Sequence, residues 1–188
     1  CRQHGFELKI VDAGVDYDFP AGKGIIDFKV RKGTRNFLYE AAMTREEADL
    51  CIERGAEVVR LCHSEGCNVI SFGEMGIGNT TSTSAIASAF LGLDPQLTVG
   101  RGSGINDERM KIKRQVVIDG LAKNMPKQGD AMDILCKVGG YDHAGLAGVI
   151  IGAARRRVPT MVDGVNATAA ALLAYGLYPQ CRDYMLCS

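Results

Sequence analysis

Residues 68–81 read NVISFGEMGIGNTT, and this stretch decides the fold. Three of its first five residues are apolar, Val69, Ile70 and Phe72, which predicts a short strand covered on both faces in the middle of a parallel sheet. Three glycines follow within six residues, and the small-residue segment 82–91 after them is predicted to be a helix. The stretch therefore predicts a buried strand, a glycine loop and the start of a helix.

Strands alternate with helices along the rest of the chain. A capping box of Thr44 and Glu47 predicts a helix that runs to about Ser64. We expect Asp107 and Asn166 to be the N-caps of two further helices. Alternating strands and helices imply βα units, so we predict an α/β fold with three layers: a mostly parallel, Rossmann-like sheet with helices on both faces. The other predicted elements are strands at 7–12, 25–30 and 159–163, and helices ending near 123, 138, 156 and 175, of which the second and third begin at 130 and 141.

Composition narrows the classes of function. The chain has 188 residues, 46% hydrophobic and 23% charged, which fits one globular domain or a large piece of one. Its 22 basic and 22 acidic side chains cancel, so we expect neither nucleic-acid nor membrane-surface binding. No apolar run is long enough to cross a bilayer. The seven cysteines at irregular spacing indicate a reducing compartment, and we predict a cytoplasmic protein.

The first glycine loop has the features of an anion site. Without Cβ atoms at Gly76 and Gly78, backbone N–H groups can approach a ligand closely, and the start of a helix favours negative charge. Asn79, Thr80 and Thr81 add polar side chains at the same place. The loop lacks the Gly-Lys-Ser/Thr of a P-loop and the spacing of a dinucleotide fingerprint. A turn that only allows close helix packing remains an alternative.

A second glycine turn, GRGSG at residues 100–104, carries Arg101 and is followed by Lys111, Lys113 and Arg114. A flexible backbone beside cations suits a phosphate or a carboxylate. Lysines on a helix also commonly form a solvated face, and this second explanation stays open.

Other catalytic chemistries find little support. The three histidines are isolated and lack a nucleophile partner, so Ser/His/Asp hydrolysis is not indicated. Cys62 and Cys67 lack the Cys-x-x-Cys spacing of a zinc site. Cys51 and Cys62 fall on the apolar face of the first long helix, where we expect them to pack in the core.

Both glycine loops resemble signatures of the nicotinate-nucleotide–dimethylbenzimidazole phosphoribosyltransferase family. Residues 73–81 are similar to its first signature, and residues 99–108 to its second, with Ser103 where threonine is usual. Residues 11–15, 42–48 and 162–164 also resemble the family pattern, in the expected order. The resemblance implies an α/β sheet domain accompanied by a small helical domain built from both chain ends.

The chain departs from this family in length. Members are considerably longer at both ends, and the chain begins at Cys1 without methionine. We therefore expect residues 1–188 to be a single α/β domain, the large domain of a longer chain. The family's general-base glutamate would lie in the absent C-terminal part, and part of the benzimidazole pocket in the absent N-terminal part. Asp142-His143 stands where relatives usually have Glu and an apolar residue, and it is assigned no role.

The resemblance implies a specific reaction: transfer of 5-phosphoribosyl from nicotinate mononucleotide to 5,6-dimethylbenzimidazole, giving α-ribazole 5′-phosphate and nicotinate for cobalamin. It implies no metal, no cofactor and a homodimer. Glu74 would stabilise the positive charge that develops on the ribose. Asp163 would support the same pocket, with loop capping an equal alternative. The residues expected to bind the phosphate and the nucleotide are Gly76, Gly78, Asn79, Thr80, Thr81, Arg101, Gly102, Ser103, Gly104, Lys113 and Asp163.

Two other functions remain as alternatives. A non-catalytic nucleotide-phosphate-binding domain, or an inactive fragment, would keep the anion loop without the chemistry. A dinucleotide-dependent oxidoreductase is disfavoured, because the Gly-x-Gly-x-x-Gly spacing is missing.

Overall fold

A computed structural model describes residues 1–188, apart from the side chain of Arg2. Strands and helices are mixed along the chain but do not alternate strictly, because two strands come first and five consecutive helices occupy residues 79–155. Helices pack on both sides of the strands. A short 3-10 turn at Arg2–His4 precedes the first strand, and another at Pro179–Tyr184 precedes the last. In chain order the elements are β1 (Ile10–Asp12), β2 (Ile25–Asp27), α1 (Arg45–Ser64), β3 (Ile70–Ser71), α2 (Asn79–Leu91), α3 (Pro95–Thr98), α4 (Asp107–Asn124), α5 (Ala131–Val138), α6 (Tyr141–Arg155), β4 (Thr160–Val162), α7 (Val165–Leu177) and β5 (Met185–Cys187).

The strand pairings are parallel, as the sequence predicts. β1 pairs with β2, and the other sheet has the order β3–β4–β5. The predicted α/β class with parallel strands and helices is therefore confirmed. Two details differ from expectation: the strands form two separate sheets, and β3 lies at an edge while β4 is central. Val69, expected to be buried, is half exposed because an edge strand is covered less completely.

Helix boundaries follow the predicted caps at α1 but not at two later helices. The Thr44 hydroxyl accepts a hydrogen bond from Glu47 N, and Thr44 N donates to Glu47 Oε2, which confirms the capping box. The N-cap of α4 is Asn106, whose side chain accepts from Arg109 N, rather than Asp107. The N-cap of α7 is Gly164, and the side chain of Asn166 does not cap the helix but donates to Glu74.

The tightest helix contact joins α1 and α6. A Cβ atom on Gly55 would come within 2.0 Å of the Gly145 carbonyl oxygen, and one on Gly148 within 2.1 Å of the Ile52 carbonyl oxygen. Only glycine permits this approach, which places α6 against α1 and fixes the N-terminus of α6 near the ends of the strands. Cys51 of α1 is fully buried there, and burial raises the pKa of its thiol to about 12. Its predicted packing role is confirmed, whereas Cys62 is only half-buried.

In the part of the chain that the structure describes, no helix combines the length and the apolar character needed to cross a bilayer.

A buried ion pair anchors the end of β1. Asp12 is 3% exposed and accepts hydrogen bonds from Lys29 Nζ at 2.5 Å and from the N–H groups of Gly14 and Val15. Burial raises the pKa of this carboxyl, but the hydrogen bonds from Lys29 and the backbone outweigh burial, so its pKa lies below the ordinary value. Because the folded state holds the proton less tightly, this stabilisation is present at neutral pH and is lost as pH falls below about 4.

Asp12→Asn is therefore expected to lower the free energy of unfolding by about 3 kcal/mol at pH 7, because it leaves the largely covered ammonium group of Lys29 without its counter-charge. Urea denaturation at pH 7 and at pH 3 checks this, and the difference from the parent should shrink at pH 3. Asp18→Asn is the matched control, since Asp18 pairs with Lys32 on the surface. Equal losses in the two variants at pH 7 would contradict the prediction.

Candidate functional site

The first glycine loop links β3 to α2 and leaves the N-terminus of α2 open. Gly78 is the N-cap, has φ +81°, and offers no side chain to the first helical N–H groups. By contrast, Thr44, Asn106 and Asp130 cap α1, α4 and α5 with a side-chain oxygen. The Asn79 and Thr81 N–H groups donate to the Gly76 and Gly78 carbonyl oxygens. No side chain caps the start of α2, however, so the positive end of its helix dipole faces outward, where an anion would be favoured.

Gly78→Val is expected to weaken binding of nicotinate mononucleotide by about 10- to 100-fold. A β-branched residue is strained at φ +81°, and a loop that relaxes by changing φ loses at least one charge-assisted hydrogen bond, worth roughly 1.5–3 kcal/mol. Isothermal titration calorimetry measures the change. Gly66→Val is the control, because Gly66 has φ +94°, has open space around it and precedes β3, at the other end of that strand from the loop. If both variants bind as the parent does, the phosphate lies elsewhere.

The second glycine loop meets the first at Lys113. Lys113 Nζ donates to Thr80 Oγ1 at 2.8 Å and to the Gly100 carbonyl oxygen at 3.0 Å. A Cβ atom on Gly102 would lie 2.9 Å from Thr80 Oγ1 and 3.5 Å from Lys113 Nζ, so the two loops are in direct contact. Burial lowers the pKa of Lys113. Lys113 is thus half-buried at a junction and not part of a solvated face.

Lys113→Ala is expected to weaken nicotinate mononucleotide binding by about 10-fold, since it removes one charge-assisted donor from the junction. Lys123→Ala and Lys127→Ala are matched controls, because both lysines are exposed at the far end of α4 and just beyond it. Parallel calorimetric titrations check the prediction. Small and equal effects for the three variants would contradict the prediction and indicate that Lys113 does not bind the ligand.

Glu74 stands between two asparagine side chains. Asn166 Nδ2 donates to Glu74 Oε1 at 2.6 Å, and Asn79 Nδ2 donates to Glu74 Oε2. Asn79 begins α2, and Asn166 lies in the first turn of α7. Each carboxylate oxygen therefore accepts from a different helix N-terminus, which holds Glu74 as an acceptor at the carboxyl edge of the sheet.

Behind Glu74 the structure brings together polar residues that the sequence leaves unconnected. Thr83 Oγ1 donates to Asn166 Oδ1 at 2.5 Å and lies 2.8 Å from His143 Nε2. The expectation that His143 is isolated is therefore wrong. Burial raises the pKa of the Asp142 carboxyl, but hydrogen bonding and the electrostatic interaction with the neighbouring His143 outweigh burial, so the pKa of Asp142 lies below the ordinary value.

Two predicted site residues have other partners. The Arg101 guanidinium donates to the Ile105 carbonyl oxygen and to Asp107 Oδ1, so it folds back on its own loop. Asp163 follows β4 and accepts a hydrogen bond from Ser188 Oγ. This contact supports neither the pocket role nor the loop-capping alternative for Asp163.

The remaining predicted residues line the two loops. A Cβ atom on Gly76 would lie 3.3 Å from Asp142 Oδ2, so the first loop reaches the start of α6. Thr81 is half-buried in the first turn of α2, and its N–H donates to the Gly78 carbonyl oxygen. Ser103 and Gly104 are exposed at the turn of the second loop, where Gly104 has φ +102°.

Sequence reasoning missed residues of two kinds. Met75 and Ile77 are almost fully exposed beside Glu74, although both are apolar. Asn166 and Thr83 are buried polar residues on helix faces that otherwise carry small or apolar side chains. A polar residue on such a face signals a buried hydrogen bond, and this signal was present in the sequence.

Comparisons with known proteins point to one family. A family model described as a phosphoribosyltransferase matches residues 1–188. The chain is 51% identical over 186 residues to the nicotinate-nucleotide–dimethylbenzimidazole phosphoribosyltransferase of Bacteroides fragilis, covering 99% of this chain and 54% of that protein. It is 46% identical to the enzyme of the same name from Geobacter sp. strain M21, covering 98% of this chain and 53% of that protein.

Solved structures show the same likeness. The crystal structure of CobT from Thermus thermophilus superposes with a TM-score of 0.89 at 38% identity, covering 94% of this chain and 53% of that one. The chain thus spans about half the length of the relatives that it matches.

Proposed function

The chain belongs to the nicotinate-nucleotide–dimethylbenzimidazole phosphoribosyltransferase family, and from this premise we propose that it binds nicotinate mononucleotide and provides the phosphoribosyl-transfer site of such an enzyme. The acceptor is 5,6-dimethylbenzimidazole, and the products are α-ribazole 5′-phosphate and nicotinate. The observation that carries the proposal is the contact between the two glycine loops at Lys113, beside the carboxylate of Glu74.

The 5′-phosphate is held where the two loops meet. Donors come from the open N-terminus of α2, from the ammonium group of Lys113 and from the Thr80 hydroxyl. These groups lie on two elements whose contact already exists in the folded chain, so little ordering is needed when the ligand binds.

Glu74 acts on the ribose. The C1′–N bond to nicotinate breaks, its electron pair neutralises the pyridinium nitrogen, and positive charge develops at C1′. A carboxylate fixed by two amides stabilises that charge without reorganising. The unprotonated ring nitrogen of benzimidazole then bonds to C1′, and the proton on the other ring nitrogen passes to a base. This scheme requires no metal or cofactor.

The rim of the loop suits a flat heteroaromatic ring. Met75 is 97% exposed and Ile77 is fully exposed, on either side of Gly76. Apolar side chains held in water at a polar site gain free energy when a ring covers them. We assign them to contact with one of the two bases.

We further propose that residues 1–188 act as one α/β domain, the large domain of a longer chain, and that the protein is a cytoplasmic homodimer. Its free cysteines fit a reducing compartment. Exposed apolar side chains along the N-terminal segment, such as Phe6 and Leu8, offer a surface for association. Sedimentation at increasing protein concentration tests the dimer.

The proposed reaction is tested with an extended protein, in which the flanking segments of the Bacteroides fragilis relative are joined to both ends of this chain. We expect it to form α-ribazole 5′-phosphate from nicotinate mononucleotide and 5,6-dimethylbenzimidazole, measured by chromatography. Nucleotide binding without product would favour the alternative, a nucleotide-phosphate-binding domain that lacks the chemistry. Neither binding nor product would refute both.

A further inference from the structure

A line of buried polar side chains runs from Glu74 to the start of α6. Asn166 contacts Glu74 at 2.6 Å, Thr83 contacts Asn166 at 2.5 Å, and His143 contacts Thr83 at 2.8 Å. Thr83, His143 and Asn166 are 3%, 1% and 8% exposed and come from α2, α6 and α7. We call these three residues the Glu74 support chain.

The direction of each hydrogen bond in the support chain is determined by Glu74. A carboxylate only accepts, so the Asn166 amide must turn its NH2 group toward Glu74 and its oxygen toward Thr83. The Thr83 hydroxyl then donates its one hydrogen to Asn166 Oδ1. Its oxygen is left to accept from His143, so Nε2 of the imidazole must carry a hydrogen.

Asp142 lies at the far end of the support chain. His143 Nδ1 lies 2.8 Å from Asp142 Oδ1, and His143 N donates to the same oxygen. The firm contact at this end is the backbone hydrogen bond of His143 to Asp142, because Nδ1 of the imidazole makes no hydrogen bond among the described residues. The donor role of Nε2 therefore follows from the Glu74 end of the support chain.

Apolar residues at these buried positions would pack without any requirement for hydrogen bonds. Burying three polar side chains is costly, and hydrogen bonds offset that cost only at the atoms they reach. The support chain pairs Thr83, Asn166 and Nε2 of His143, whereas Nδ1 of His143 has no hydrogen-bond partner among the described residues, and it ends on the one carboxylate that the proposed reaction needs. Together with Asn79 on the other oxygen, it fixes both the position and the plane of the Glu74 carboxylate.

We propose that Thr83, His143 and Asn166 are positioning residues for Glu74, acting through this directed chain of hydrogen bonds. The proposal rests on the role proposed above for Glu74. Because the support chain lies behind the carboxylate and the phosphate donors lie in the glycine loops, its loss should lower kcat and leave KM for nicotinate mononucleotide unchanged.

The test is a set of variants of the extended protein. Thr83→Val keeps the shape of the side chain but removes the hydroxyl, and we expect kcat to fall by about 10- to 100-fold. Thr83→Ser restores the hydroxyl and should restore kcat. Ser88→Ala is the matched control, because Ser88 is buried on the same helix and its hydroxyl pairs with Thr98 instead. Thermal unfolding of each variant separates loss of stability from loss of rate.

A second pair of variants substitutes His143 in α6, so the proposal can still be tested if Thr83→Val does not fold. His143→Gln keeps a side-chain donor toward Thr83, and His143→Leu removes it, so we expect only the leucine variant to lose kcat. The positioning role is overturned if Glu74→Gln is inactive while Thr83→Val or His143→Leu keeps the parent kcat. A Glu74→Gln protein as active as the parent would instead refute the role of Glu74 and the support chain's role with it.

Discussion

Glu74→Gln is expected to lower the kcat of the extended protein by about 10²–10³-fold, the usual loss when one fixed electrostatic group is removed from a reacting centre. The substitution removes the negative charge opposite the developing positive charge on the ribose. It also introduces an NH2 group between Asn79 and Asn166, which both present donors to Glu74. One donor must then face another, so the side chain loses its fixed position as well as its charge. Initial rates of α-ribazole 5′-phosphate formation give the measurement.

Two controls make this result specific. Glu53→Gln changes the same side chain at an exposed position of α1 and should keep the parent kcat. Calorimetric titration of Glu74→Gln should give nearly the parent affinity for nicotinate mononucleotide, because the phosphate donors lie in the glycine loops. A variant that loses affinity and keeps kcat would show that Glu74 binds the ground state and does not stabilise the transition state.

The local elements of the fold were predictable because their signals are local. The capping box at Thr44, the glycine loop after β3 and the apolar periodicity of α1 each act within a few residues. The edge position of β3 was not predictable in this way. The three apolar residues at 69, 70 and 72 indicate burial, but which strand lies at the centre depends on pairing with β4, far along the chain.

The residues of the candidate site also fall into two groups, those predictable from local motifs and those that only tertiary packing reveals. The two glycine loops and Lys113 were predicted from motifs, and the structure brings them into contact. Asn166 was predicted to cap its helix, because asparagine at a helix start usually does so. The structure gives that place to Gly164 and turns Asn166 toward Glu74, a contact across 92 residues. No local pattern reports such a pairing, so the residues behind Glu74 emerge only from the packing of α2, α6 and α7.

A polypeptide of residues 1–188 alone is expected to turn over at least 10²–10⁴-fold more slowly than the extended protein. It spans 54% of the Bacteroides fragilis relative, and the family resemblance assigns the base that accepts the benzimidazole proton to a flanking segment. Removing a positioned general base costs about 10²–10⁴-fold in rate. Losing part of the acceptor pocket weakens the alignment of the two substrates further.

In this polypeptide we therefore expect turnover to fall while the affinity for nicotinate mononucleotide is largely kept. The groups proposed to hold the phosphate all lie within it and are already in contact, so nicotinate mononucleotide should bind with nearly the affinity of the extended protein. The same titration and the same product assay on both proteins check this. Comparable turnover would mean that the base lies within residues 1–188. Glu74 would be its first candidate, because it is the carboxylate at which Asn79, Asn166 and the support chain converge.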